Sequence, residues 1–136
     1  MPFDPRMRVL VVDDYPVLRR AVANIVRRVG CENVEEVADG EIALARVREG
    51  NVGLVLAEWD MEPLSGFALL KEVRMHRHYI DVTKRPIGDT PFLLMAAQSD
   101  PGNQARAREA GVDGYLVKPF NADSLKQRLI SIFGWF

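Results

Sequence analysis

Two adjacent acids, Asp13 and Asp14, follow the apolar run Val9-Leu10-Val11-Val12. A second acidic group, Glu58, Asp60 and Glu62, follows the run Leu54-Val55-Leu56-Ala57. Lys118 follows Tyr115-Leu116-Val117 and precedes Pro119. Crowded carboxylates repel one another, and a hard divalent cation relieves that repulsion; Mg2+ with oxygen ligands and water suits such a set. A lysine beside them can hold a phosphoryl oxygen or pair with a carboxylate. Together these groups could carry phosphoryl transfer to a carboxylate. Each also has a plainer reading. An Asp pair ahead of Pro16 is ordinary turn and helix-start chemistry, and Lys-Pro after a strand is common in loops. The groups make a site only if the fold gathers them.

The elements that must do so alternate along the chain. The runs Val9–Val12, Leu54–Ala57, Phe92–Met95 and Tyr115–Val117 are apolar throughout, and a weaker run, Val34–Ala38, contains a Glu pair. Short, wholly apolar runs are how strands read when a parallel sheet buries both their faces. Between them lie helical stripes: Leu18, Val22, Ile25, Val26 and Val29; Phe67, Leu70 and Val73; and Leu125, Leu129, Ile132 and Phe133. Helices are also expected over Glu41–Glu49 and Pro101–Ala110, the latter too polar to bury much. Gly30, Gly50 and Gly111 each follow a helical pattern, where a left-handed cap wants glycine. Five strand-helix repeats imply a parallel α/β sheet with five helices on its two faces. The doubly wound order 2-1-3-4-5 is one of the few topologies left, and it places ligands beyond the carboxyl ends of the strands. Asp13, Asp14, Glu58, Asp60 and Lys118 all fall there. Ala96, Ala97 and Gln98 follow the fourth strand.

The 136 residues are expected to form one domain, with its core at about 8–133. A net charge of -1 gives no reason to expect nucleic acid or an anionic membrane as partner. The lone Cys31 cannot form an internal disulfide, and no apolar run approaches a membrane span. Met1–Arg8 has no hydrophobic signal region, so the cytoplasm is the expected location. The chain stops soon after the last helical stripe, so no DNA-binding or catalytic output domain is expected. Met75–Thr90 reads as a long connection between the third helix and the fourth strand. His76 and His78 within it are expected to be surface histidines. Arg74, Arg77, Lys84 and Arg85 form a basic cluster that could face an acidic partner, or simply a solvated loop. Phe133, Gly134, Trp135 and Phe136 place apolar side chains at the end of the sequence.

The segments VLVVDD, WDMEPLSG and GYLVKPF, with the spacing between them, resemble response-regulator receiver domains, which have a flavodoxin-like fold. The resemblance runs from about Arg8 to Phe133, and the first third is especially similar to stand-alone chemotaxis regulators. It implies that Asp13 and Asp14 match the acidic pair that binds Mg2+, with the backbone carbonyl of Asp60 completing the protein ligands. Lys118 matches the lysine that contacts the phosphoryl group, before a cis peptide to Pro119. Tyr115 matches an aromatic switch residue, and Gly66 the glycine that opens the third helix. It also implies a protein partner, a histidine kinase or a target, docked on the face of the fourth helix, fifth strand and fifth helix. The chain itself is then a monomer or weak dimer with no enzymatic turnover.

Two positions depart from the family. Glu58 stands where the family has its phosphoacceptor aspartate, and Ala96 where it has a threonine or serine. Glu is one methylene longer than Asp, and in-line attack needs placement to within about 0.5 Å, so transfer to Glu58 is expected to be severely slowed. Glu also partly imitates phosphoaspartate, with one charge against roughly -1.5 to -2. The hydroxyl that would sense the imitation is missing at Ala96. The expectation is therefore a receiver uncoupled from phosphorylation, with Glu58 paired to Lys118 and Mg2+ held weakly or not at all. The alternatives are a phosphorylatable receiver with an altered site, Asp60 as a rival acceptor, and an engineered mimetic at Glu58. A flavin carrier needs a hydroxyl- and glycine-rich loop after the first strand. An aspartate phosphatase needs two aspartates around a hydrophobic residue there. Adjacent Asp13 and Asp14 fit neither.

Overall fold

The computed structural model describes residues 3–75 and 86–134. Five strands alternate with five helices: β1 (Arg8–Val12), α1 (Pro16–Val29), β2 (Asn33–Val37), α2 (Gly40–Glu49), β3 (Val52–Glu58), α3 (Gly66–Met75), β4 (Phe92–Ala96), α4 (Pro101–Glu109), β5 (Gly114–Val117) and α5 (Ala122–Phe133). The strands are parallel in the order β2-β1-β3-β4-β5, the doubly wound arrangement expected of the sequence.

Side-chain alternation along each strand divides the core into two layers. Leu10, Val12, Val55, Ala57, Phe92 and Leu94 pack with residues of α2 and α3 on one face. Val9, Val11, Leu54, Leu56, Leu93 and Met95 pack with residues of α1 and α5 on the other. Their complete burial explains why these strands read as unbroken apolar runs. β2 is an edge strand and keeps polar residues. Its Glu35 accepts from Arg8 and Arg46, and its Glu36 from Arg19 and Arg20. These half-exposed pairs are each worth about 0–1 kcal/mol and blunt the edge more than they stabilise it.

The helix ends follow their sequence signals. Asp39, Asp100 and Asn121 cap α2, α4 and α5 by accepting from backbone N–H groups three residues on. Gly30, Gly50 and Gly111 have positive φ. α4 buries a single residue, Ala107. One expectation is corrected: Leu18, placed on the buried stripe of α1, is exposed beside exposed Tyr15 and Val17. The first turn of α1 leaves it facing solvent, and burial starts at Val22.

The connection after α3 holds a second correction. Arg74 belongs to no solvent-facing basic cluster. Its side chain is only 8% exposed. It donates to the carbonyls of Gly88, Thr90 and Gly111 and to Asp113 Oδ2, over distances of 2.7–3.0 Å. Asp113 Oδ2 also accepts from Phe92 N at 2.8 Å. The guanidinium fork therefore ties the end of α3 to the entrances of β4 and β5. His76, Arg77, His78, Lys84 and Arg85 lie outside the described residues, as do Trp135 and Phe136; Phe133 is part of the core.

Arg74→Ala leaves several buried carbonyls without a donor. It is expected to cost about 2–4 kcal/mol in chemical denaturation, and Arg74→Lys is expected to recover only part of that.

Candidate functional site

The carboxyl edge of the sheet is built by backbone pairing that runs just past the strands. Asp13 N donates to Val37 O, Trp59 N to Met95 O and Lys118 N to Ala96 O, at 3.1, 2.8 and 2.8 Å. Glu58 is itself the last residue of β3, in register with Met95. Gly66 brings the start of α3 against this strand end. A Cβ at Gly66 would lie 2.2 Å from Glu58 O, so only glycine fits. Gly66 N closes the loop by donating to Trp59 O at 2.9 Å.

Three charged side chains meet at this edge. Lys118 Nζ lies 2.5 Å from Glu58 Oε2 and 3.0 Å from Asp13 Oδ2. Asp13 and Glu58 are buried, at 1% and 7% exposure. Glu58 Oε2 meets the ammonium at a poor hydrogen-bonding angle, so charge rather than direction holds that contact. The remaining oxygens have backbone donors: Tyr15 N to Asp13 Oδ1 at 3.0 Å, and Asp60 N to Glu58 Oε1 at a long 3.5 Å. Asp14 and Asp60 are exposed. Lys118–Pro119 is cis, as the sequence suggested, and so is Glu62–Pro63, which it did not.

Burial pushes the Glu58 carboxyl above its ordinary range, and the nearby Asp13 charge adds to this; Lys118 and the Asp60 N–H offset it only in part. Burial lowers the Lys118 ammonium, but Glu58 and Asp13 outweigh that and raise it.

As arranged, Asp13 and Glu58 are both paired with the Lys118 ammonium. All four oxygens of Asp13 and Glu58 already face a protein donor or the Lys118 ammonium. Among the described residues no group of three or more acids, histidines or cysteines is placed to hold a metal ion.

Ala96, 8% exposed, ends β4 between Glu58 and Lys118 and offers no hydroxyl. Tyr115 is half-buried, and its hydroxyl donates to Gln98 O at a long 3.4 Å. It forms one wall of a cleft of about 520 Å³ between α4 and α5, lined also by Gln104, Phe120, Gln127 and Arg128. The structure thus brings together Asp13, Glu58 and Lys118. It leaves Asp14 and Asp60 exposed beside them, with no side-chain role in that cluster. Arg19, which donates to Asp13 O at 3.0 Å and pairs with Glu36, carries no mark in the sequence. Phe67 falls on the helical stripe of α3, but nothing in the sequence marks its stack on Trp59. Neither contact follows a motif; both are found by proximity alone.

The doubly wound sheet, with two acids and a lysine at its carboxyl edge, defines a class of phosphorelay signalling domain. Residues 9–130 match the response regulator receiver domain family, and the chain belongs to it. It is 35% identical over 127 residues to the chemotaxis protein CheY-3 of Vibrio cholerae, covering 93% of this chain and 92% of that protein. It is 34% identical to the chemotaxis protein CheY of Pseudomonas aeruginosa, covering 93% and 96%. The solved structure of Vibrio cholerae chemotaxis protein CheY4 superposes with a TM-score of 0.76 at 31% identity, covering 91% of this chain and 96% of that one.

The folded chain holds the Glu58 proton more tightly than the unfolded chain does. Stability from this group is therefore present below the ordinary value, about 4.3, and is lost as pH rises through the folded value. Relative to Glu58→Gln, the wild-type melting temperature is expected to fall between about pH 4 and pH 7. A flat difference across that range would show that Glu58 titrates normally.

Proposed function

We propose that this receiver domain is uncoupled from phosphorylation at the end of β3 and signals by binding a protein partner. One observation carries the reading: the carboxylate at the acceptor position is Glu58, buried and already paired with Lys118. An acceptor must be free to attack a phosphodonor with a cation at hand to take up charge. Here the ammonium that would meet the incoming phosphoryl group is shared between Glu58 and Asp13. The extra methylene of Glu58 lets its carboxylate reach the lysine directly. Ala96 removes the hydroxyl that would report on a phosphoryl group. On this reading Mg2+ binds weakly or not at all, and the domain performs no catalysis of its own. It works in the cytoplasm, where the kinases and targets of its family act.

The partner surface is the face of α4, β5 and α5. Exposed Val117 and the cleft beside Tyr115 lie there. α4 buries only Ala107, so most of its surface is free for contact. The relatives named for chemotaxis point to a target of that kind, a component of a motility or signalling assembly.

The test is incubation with a small-molecule phosphodonor and Mg2+, followed by intact mass. Wild-type protein is expected to gain no phosphoryl group, and Glu58→Asp is expected to gain one. A stable gain by the wild type that disappears in Glu58→Gln would overturn the uncoupled reading. Loss of the gain in Asp60→Asn instead would identify Asp60 as the acceptor.

A further inference from the structure

Among the described residues, α4 is the least anchored of the five helices. It offers the core one side chain, Ala107, and its other residues are polar or lie at the surface. A helix attached so lightly needs another constraint to hold one position. The constraint is visible in the aromatic side chains beside the site. Trp59 directly follows Glu58. Its ring stacks on Phe67 of α3, with centroids 4.9 Å apart and planes 9° apart. The Phe67 ring carries the Arg106 guanidinium of α4 at 4.8 Å, and Lys71 of α3 at 5.3 Å. Trp59 also meets Tyr115 edge-on at 6.3 Å and 61°. One continuous set of contacts thus joins the end of β3, the first turn of α3, α4 and β5.

We propose that the Trp59–Phe67–Arg106 stack is a tether that fixes α4 and holds Tyr115 against the cleft between α4 and α5. Trp59 and Phe67 are positioning residues in this role. The tether starts one residue from Glu58 and needs no hydroxyl at position 96. It therefore supplies a physical link between the carboxyl edge of the sheet and the α4–β5 surface that Ala96 cannot provide. An aromatic stack shifts an opening equilibrium by about two- to tenfold, and a cation over a ring at an exposed site by about two- to fivefold. Contacts of that size can decide the position of a helix with one buried side chain. They decide little for α3, whose Gly66, Leu69, Leu70 and Val73 are buried. The inference stands whether or not Glu58 accepts a phosphoryl group.

Amide hydrogen exchange read by mass spectrometry tests it without any partner. In Trp59→Ala and Phe67→Ala, exchange across 101–109 is expected to accelerate about tenfold. Exchange in β1 and β3 should stay as in the wild type. Trp59→Phe, which can still stack, should exchange like the wild type in α4. Arg106→Gln removes an exposed cation from the Phe67 ring and a long 3.4 Å bond to Asn103 Oδ1 within α4; it should accelerate α4 by a smaller factor, about threefold, and by more than Asn103→Ala, which removes that bond alone. Unchanged α4 exchange in Trp59→Ala and Arg106→Gln overturns the tether. So does acceleration spread evenly over the sheet, which would report general destabilisation. Loss of protection in Trp59→Phe equal to that in Trp59→Ala also overturns it, because stacking would then not be the holding interaction.

Discussion

A parallel sheet covered on both faces leaves its polar chemistry few places to go. In the strands buried on both faces, each side chain meets a helix and must be apolar. Charged side chains emerge on the edge strand β2, at Glu35 and Glu36, and where the ladders end. The carboxyl edge is where the chain turns from strand to helix, so each strand delivers its next residues there. The site follows from that constraint. β1 delivers Asp13, β3 ends on Glu58, and β5 delivers Lys118. The backbone bonds that continue the ladder past the strand ends hold these residues in register, and Gly66 lets α3 close tightly behind Glu58.

Within that edge, charge balance decides the arrangement. Two buried carboxylates would repel strongly without a cation, and Lys118 supplies one from the protein itself. The arrangement is self-contained, with backbone N–H groups on the outer oxygens and an ammonium between the inner ones. Burial still leaves Glu58 harder to ionise than a free carboxyl, so the pocket is held together at some cost to its own charge state.

Much of this was legible from one-dimensional pattern. Fully buried strands advertise themselves by continuous apolarity, and Val9–Val12 and Phe92–Met95 lie within one residue of the observed strands. β3 is longer than its apolar run, because Val52 and Glu58 join the ladder through backbone pairing that is blind to side-chain type. Leu18 fits the helical period and still faces solvent, since period gives a face but not where along the helix the covering layer begins. Arg74 read as surface charge and is a buried clamp, because its four acceptors come from two segments distant in the chain, 88–90 and 111–113.

The sequence alone determined the element order, the parallel doubly wound class, the family and the residue types at the strand ends. It could do so because burial on both faces and strand-helix alternation are local in the chain, and because the family motifs are short. The tertiary structure alone decided which of those residues touch. Asp13 and Lys118 are 105 residues apart and meet at 3.0 Å. Whether Lys118 pairs with one acid or bridges two depends on side-chain reach across neighbouring strands. The same holds for Trp59, Phe67 and Arg106, which come from three elements. Contacts between distant segments are set by packing of the whole sheet, and no window of sequence contains them.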